Sequence, residues 1–151
     1  LNVMVRCGGA GLLEHPALPH WKPEAPSICR IDLIRWMREL PCVDTVLIDQ
    51  CEHGAPGKKP TELLLVRLPT LPARLRATPG GGFCSHRQGH AALIGGAEEG
   101  GAFNTAAAKE YPPPLCRCLA EGILDTRLSP WFATAITQED MPWVFEGGEP
   151  S

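Results

Sequence analysis

Proline and glycine set the first limit on what this chain can fold into. Sixteen of each stand among 151 residues, more than a fifth of the sequence, and both interrupt regular elements. The chain therefore reads as a few ordered islands joined by turns, not as a continuous helical bundle. Apolar and charged fractions of 44% and 21% are ordinary for a globular protein. The length leaves room for one domain with a modest core. A formal net charge of −3 supplies no global basic field, so any contact with nucleic acid needs a local patch. The longest apolar runs fall far short of a membrane span, and no secretory signal leads the chain. No membrane partner is expected.

The first residue is Leu1, which suggests a processed product, a gene-model fragment or a domain cut from something longer. Seven cysteines (Cys7, Cys29, Cys42, Cys51, Cys84, Cys116 and Cys118) are scattered and odd in number, unlike a secreted disulfide framework. The expectation is reduced thiols in an intracellular setting, with cytoplasm and nucleus unresolved.

Hydrophobic periodicity locates the islands. An apolar run before Glu14, His15 and Pro16 suits a buried strand at 11–14 opening into a loop. Pro16, Pro19, Pro23 and Pro26 impose an extended connector. Ser27 can cap a helix in which Ile28, Ile31, Ile34, Met37 and Leu40 share one face. Asp32 and Arg35 would pair one turn apart on it, and Pro41 would stop it. Residues 44–49 are rich in β-branched side chains and read as a second strand. A turn over 54–61 leads into a third strand at 62–68, nearly continuous in apolar residues and so covered on both faces.

Strand, helix, strand, turn, strand is the pattern of an α/β layer fold. The three strands are expected to be adjacent in the sheet of a three-layer segment, with the helix at 28–39 on one face. Residues 71–76 can make one or two helical turns, and 79–104 are glycine-rich. A helix at 114–123, entered through Pro113, would carry Leu115, Leu119 and Ile123 as its apolar stripe. Trp131, Phe132, Trp143 and Phe145 mark a tail without a clear period. The domain plan is an N-terminal remnant at 1–9, a core at 10–76, a Cys/His loop plus helix at 77–127 and an irregular tail at 128–151.

The segment Cys84-x-His86-x-x-x-His90 places three soft or borderline ligands in a glycine-rich loop that otherwise lacks a core. Zinc is able to organise such a loop, with Cys51 or Cys116 as fourth ligand. The spacing is not that of a finger or ribbon, and the plainer alternative is a polar surface loop with solvated histidines. Lys58 and Lys59 suit either a solvated turn or nonspecific contact with a phosphate backbone. Asp49, at a strand end, is placed to hold the adjacent turn, and Tyr111 to anchor a helix entry by packing.

Two motifs resemble the later half of cytosine-5 DNA methyltransferases. Leu13-Glu14-His15-Pro16 is similar to that family's strand ending in Glu-Asn-Val or Glu-Asn-Pro, with His15 departing from the usual asparagine. The resemblance implies that Glu14 contacts the edge of a flipped-out base. His53-Gly54-Ala55-Pro56-Gly57-Lys58-Lys59-Pro60-Thr61 is similar to the family's Gly-Val-Pro-Gln-x-Arg-x-Arg turn. That match implies substrate or phosphate contact for Lys58 and Lys59, though neither offers arginine's bidentate fork.

Residues 10–123 also resemble a methyltransferase-like region of eukaryotic retroelement polyproteins. The matching parts are Asp49-Gln50-Cys51, the lysine turn through Thr61, Cys84 with His86 and His90, and Tyr111-Pro112-Pro113-Pro114-Leu115-Cys116. The fold so implied is a partial Rossmann-like, class I methyltransferase-like sheet with an added Cys/His loop and C-terminal helix.

What the resemblance lacks is equally informative. Cofactor binding in that fold needs a glycine-rich turn after the first strand and an acid after the second, and neither is present. Pro41-Cys42 is the sole Pro-Cys, and it lies downstream of the Glu14 motif instead of upstream, where the family's nucleophile stands. The leading expectation is a truncated or degenerate methyltransferase-like domain of mobile-element origin, inactive alone. It would hold no cofactor in this chain and would use S-adenosylmethionine only if an upstream half exists. The alternative is a noncatalytic zinc-organised module that binds nucleic acid or protein. A sheet edge left open by a missing half would favour self-association.

Overall fold

The computed structural model describes residues 9–19, 22–90 and 110–127. The readings for the N-terminal remnant up to residue 8, for 91–109 and for the tail from 128 lie outside the described residues. The central element is β3 (Pro60–Val66), whose residues from Thr61 onward are all buried. It lies between β1 (Gly11–Pro16) and β2 (Val43–Asp49) and runs antiparallel to both. Leu64 stands opposite Leu13 on one side and Thr45 on the other. Because β3 opposes both neighbours, β1 and β2 share a direction, and the long connection between them carries α1 (Asp32–Arg38).

The expected Rossmann-like sheet is corrected at this point. The order is β1-β3-β2 with every pairing antiparallel, which is not the arrangement of a doubly wound parallel sheet. The reason is local. Segment 50–59 joins β2 to β3 and is shorter than the dozen or more residues a parallel crossover requires. The chain therefore has to return antiparallel.

Alternation along β3 splits the core in two. Leu63 and Leu65 join Val46, Ile48 and Leu68, covered by Leu71 and Leu75 of α2 (Leu71–Arg76) and Leu115 of α3 (Pro113–Arg127). Val66 points the other way, to Met37 of α1 and to Leu40. On that side Glu62 is buried beside the Arg38 guanidinium and receives the Cys29 thiol at 3.4 Å. The charge is thus paired and hydrogen-bonded, as a buried carboxylate must be.

The single helix expected over 28–39 is two elements. Ser27 does act as a cap, accepting from the Cys29 amide at 3.1 Å, but it caps a 3-10 turn at Ile28–Arg30. The Ile31 amide closes that turn on the Ile28 carbonyl, and Ile31 is extended (φ −67°, ψ 131°). The Ile31 carbonyl then starts α1 by accepting from Ile34 and Arg35. The break rotates Ile31 out of the apolar face, leaving it 54% exposed. Asp32 and Arg35 do pair, at 3.6 Å, on an exposed surface where such a pair contributes little. The strand expected at 62–68 begins two residues earlier and stops at Val66, because Arg67 turns into positive φ (50°).

The last helix runs beyond the expected 123 to Arg127, with Gly122 inside it. A Cβ there would lie 2.5 Å from Leu71 Cδ1 and 3.3 Å from Leu71 Cβ, and Leu71 is fully buried. The glycine lets α3 approach α2. An interior helical Gly→Ala exchange normally stabilises by about 1 kcal/mol. Here Gly122→Ala is expected to destabilise by about 1–3 kcal/mol through overpacking, read from urea unfolding. A gain in stability would show that the approach is not close.

Candidate metal centre

A short 3-10 turn, Gln50–His53, follows β2 and places Cys51 inward, 4% exposed. The second half of the site arrives through Pro79-Gly80-Gly81-Gly82. Glycine is required in this turn. A Cβ at Gly80 would sit 1.7 Å from the Phe83 carbonyl oxygen, and Gly82 has φ +94°. The Gly81 and Gly82 amides both bond to Thr78, one to its carbonyl and one to its hydroxyl. The chain then runs along the end of β2, where the Asp49 amide donates to the Gly82 carbonyl at 2.8 Å.

Cys84, His86 and His90 converge on Cys51, and the donor atoms of all four lie within 4.8 Å of one another. Cys84 Sγ is 3.7 Å from His86 Nδ1 and 3.5 Å from His90 Nε2. In a tetrahedral zinc site, bond lengths of about 2.3 Å to sulfur and 2.0–2.1 Å to nitrogen place neighbouring ligands roughly 3.3–3.8 Å apart. The two sulfur–nitrogen separations from Cys84 fall in that range. The two imidazoles meet edge to face, with centroids 5.5 Å apart, so both rings turn a nitrogen to the same point without stacking. Of the two fourth ligands the sequence offered, the fold selects Cys51. Cys116 lies on α3, with its thiol toward the Tyr111 carbonyl at 3.8 Å.

Two carboxylates suspend the loop. Asp49 Oδ2 accepts from the Cys84 amide at 2.9 Å, and Glu52 Oε1 accepts from the amide and hydroxyl of Ser85 at 2.7 and 2.8 Å. Glu52 Oε2 takes the Gly80 amide at 3.0 Å. Glu52 also faces His86 Nδ1 at 3.6 Å. The sequence reading missed Glu52. Its only signal was an acid beside Cys51, and nothing in the sequence places residue 52 next to residue 85. Asp49 does hold a backbone, though that of Cys84 and not of the turn that follows it.

The electrostatics are consistent with a site finished by a cation. Burial pushes the Cys51 thiol up to about 11, and the neighbouring Cys84, Asp49 and Glu52 push it the same way. Cys51 is therefore protonated at neutral pH by itself, and a bound metal has to displace that proton, so affinity rises with pH and is lost as pH falls. His53, next in the turn, is outside the cluster. Burial lowers its pKa, partly offset by its bond to the Leu75 carbonyl.

The backbone and side-chain hydrogen bonds from Ser85 hold Glu52 at about 2, against its ordinary 4.5. A carboxyl lowered on folding stabilises fully above its unfolded value, and that contribution is lost as pH falls through the folded one. In metal-free protein the Ser85 and Gly80 amides are expected to lose protection from exchange as pH drops from about 4.5 toward 2. Glu52→Gln should abolish this acid step and weaken zinc binding by about 10–100-fold. An unchanged zinc affinity in that variant would remove Glu52 from the site's support.

The other candidates form a separate group. Glu14 Oε1 faces Lys59 Nζ at 3.6 Å, and Lys59 lies 5.3 Å from the Tyr111 ring centroid. Tyr111 is hydrogen-bonded to Glu14, and burial followed by that bond raises its hydroxyl. Tyr111 thus joins a polar cluster as well as the start of α3. Lys58 pairs with Asp49 at 3.3 Å, so both lysines of the turn face carboxylates of the chain itself. Cys42 lies against the second core cluster, as a small apolar residue does. Among the described residues no helix is long and apolar enough to cross a membrane.

Comparisons with known proteins place no relative beside this chain: no protein family, curated protein or solved structure matches it.

Proposed function

We propose that this chain is a noncatalytic, zinc-organised module in which the metal fixes the loop at 80–90 against the end of β2. The observation that carries this is the convergence of Cys51, Cys84, His86 and His90 from two segments of chain. Four protein ligands fill a tetrahedral site and leave no position for a substrate or an activated water, which is the mark of a structural zinc. What the metal would then present is the loop's outer face. Phe83 is 54% exposed there, and Arg87, four residues on, is exposed as well. An exposed apolar ring and an exposed cation on one loop suit a protein or nucleic-acid partner. The test is elemental analysis of the purified full chain. One zinc per chain, lost in Cys84→Ser, supports the reading, and absence of metal from both proteins rejects it.

A second reading, a degenerate methyltransferase-like half, draws on one observation. Glu14 and Lys59, which the resemblance assigns to substrate, meet at the same end of the sheet. Their mutual pairing and the Tyr111 bond are equally the work of a structural polar cluster. Methyl transfer by this chain alone would refute the incompleteness on which that reading stands.

A further inference from the structure

The geometry points to Cys51 and Cys84 as a reversible disulfide pair, formed by a peroxide-class oxidant with expulsion of the metal. This inference rests on the zinc reading above for its resting state, though the sulfur chemistry itself does not. Three features carry it. The two sulfurs lie within 4.8 Å of each other, so a modest movement brings them to the disulfide length of about 2.05 Å. They are also unequal in access, Cys51 being 4% exposed and Cys84 partly open on the loop's outer side. Finally, the Cys84 amide and the Gly82 carbonyl tie the loop to Asp49 of β2, and the Ser85 amide ties it to Glu52 of the turn that carries Cys51, so the backbone under both sulfurs stays in place while the side chains close the gap.

Cys84 is the attacking thiolate. It displaces hydroxide from hydrogen peroxide as the O–O bond breaks, giving a sulfenic acid. Cys51, released from the metal as a thiolate or giving up its own proton where no metal is bound, then attacks that sulfur and releases a second hydroxide. Both hydroxides take up protons and leave as water. Two electrons pass from the two sulfurs to the peroxide, and zinc leaves as Zn2+ with no change of oxidation state. His86 and His90 lose their metal and, with it, their fixed orientation. The loop stays anchored at Cys84, but its outer half from 86 to 90 is released, so the oxidised module would present a different surface from the zinc-bound one. The remaining described cysteines are outside the cluster: Cys29 faces Glu62, Cys42 lies in the second core cluster, and Cys116 and Cys118 are on α3.

The experiment treats the zinc-loaded full chain with a few equivalents of hydrogen peroxide. Zinc release is followed with a chromogenic chelator, and disulfides are mapped by mass spectrometry of unreduced peptides. The expected result is one zinc released for each Cys51–Cys84 disulfide, reversed by dithiothreitol with added zinc. In Cys51→Ala, the sulfenic acid at Cys84 should persist and be trapped by dimedone. Retention of zinc, a different pairing, or sulfinic acid at Cys84 without a disulfide would overturn the inference while leaving the metal reading intact. If the chain proves to carry no zinc, the metal reading fails separately. The Cys51–Cys84 disulfide in the metal-free chain then decides this one alone.

Discussion

Cys84→Ser is expected to strip stoichiometric zinc from the chain and free residues 84–90, while the sheet and its helices stay folded. The asymmetry follows from where the energy sits. A structural zinc contributes about 10–16 kcal/mol of apparent binding free energy at neutral pH. The bond from the Cys84 amide to Asp49 contributes about 1.5–3 kcal/mol. Removing one thiolate leaves a three-ligand set, and the loop then depends on bonds of that smaller size. Core residues such as Leu63, Leu65 and Leu75 are fully buried and make no part of the metal cluster. Hydrogen exchange resolved by residue should show protection lost from 84 to 90 and kept in β3. If protection in β3 is lost together with that of the loop, zinc is holding the whole fold.

Leu65→Ala is the substitution expected to damage the fold itself most. Leu65 is completely buried in the central strand, opposite Leu12 and Asp44, and belongs to the cluster capped by α2 and α3. Truncating such a leucine costs about 2–5 kcal/mol through lost transfer energy and the cavity left behind. Domains of this size hold about 5–15 kcal/mol in total, so the variant should lose a large share of its stability. The urea midpoint should fall with the slope unchanged. Leu47→Ala is the matched control, since Leu47 stands in the adjoining strand but is 44% exposed. Its effect should stay within about 0.5 kcal/mol. Equal losses from the two would mean that β3 is not the centre of the core.

Both expectations depend on elements that the sequence exposed unequally. The apolar run at 62–68 is nearly uninterrupted, and that alone identified a strand covered on two faces. Its pairing was not legible in the same way. Apolar residues say that a strand is buried, whereas direction follows from the length of segment 50–59, which is too short for a parallel crossover. The divided helix shows a different limit. Ile28, Ile31 and Ile34 satisfy helical spacing on paper, yet Ser27 closes a tighter turn first, and Ile31 leaves the face that the periodicity gave it.

In the site, Cys84, His86 and His90 were legible because they are close in sequence and surrounded by glycine. Cys51 remained one of two candidates until the Gly80–Gly82 turn laid the loop over the end of β2. Asp49 and Glu52 act on backbone amides of a segment about thirty residues away. Residue type alone does not encode such a partnership. Lys58 and Lys59 show the converse. They stand out as a charged pair in a turn, but the fold sets each against a carboxylate of its own.

The most direct test of the central claim is zinc-edge X-ray absorption on the purified full chain. One zinc per chain is expected, with two sulfur neighbours at about 2.3 Å and two nitrogen neighbours at about 2.0–2.1 Å, the sulfur shell vanishing when Cys51 and Cys84 are both replaced by serine. Zinc bound without sulfur, or a sulfur shell that survives the double replacement, would contradict it.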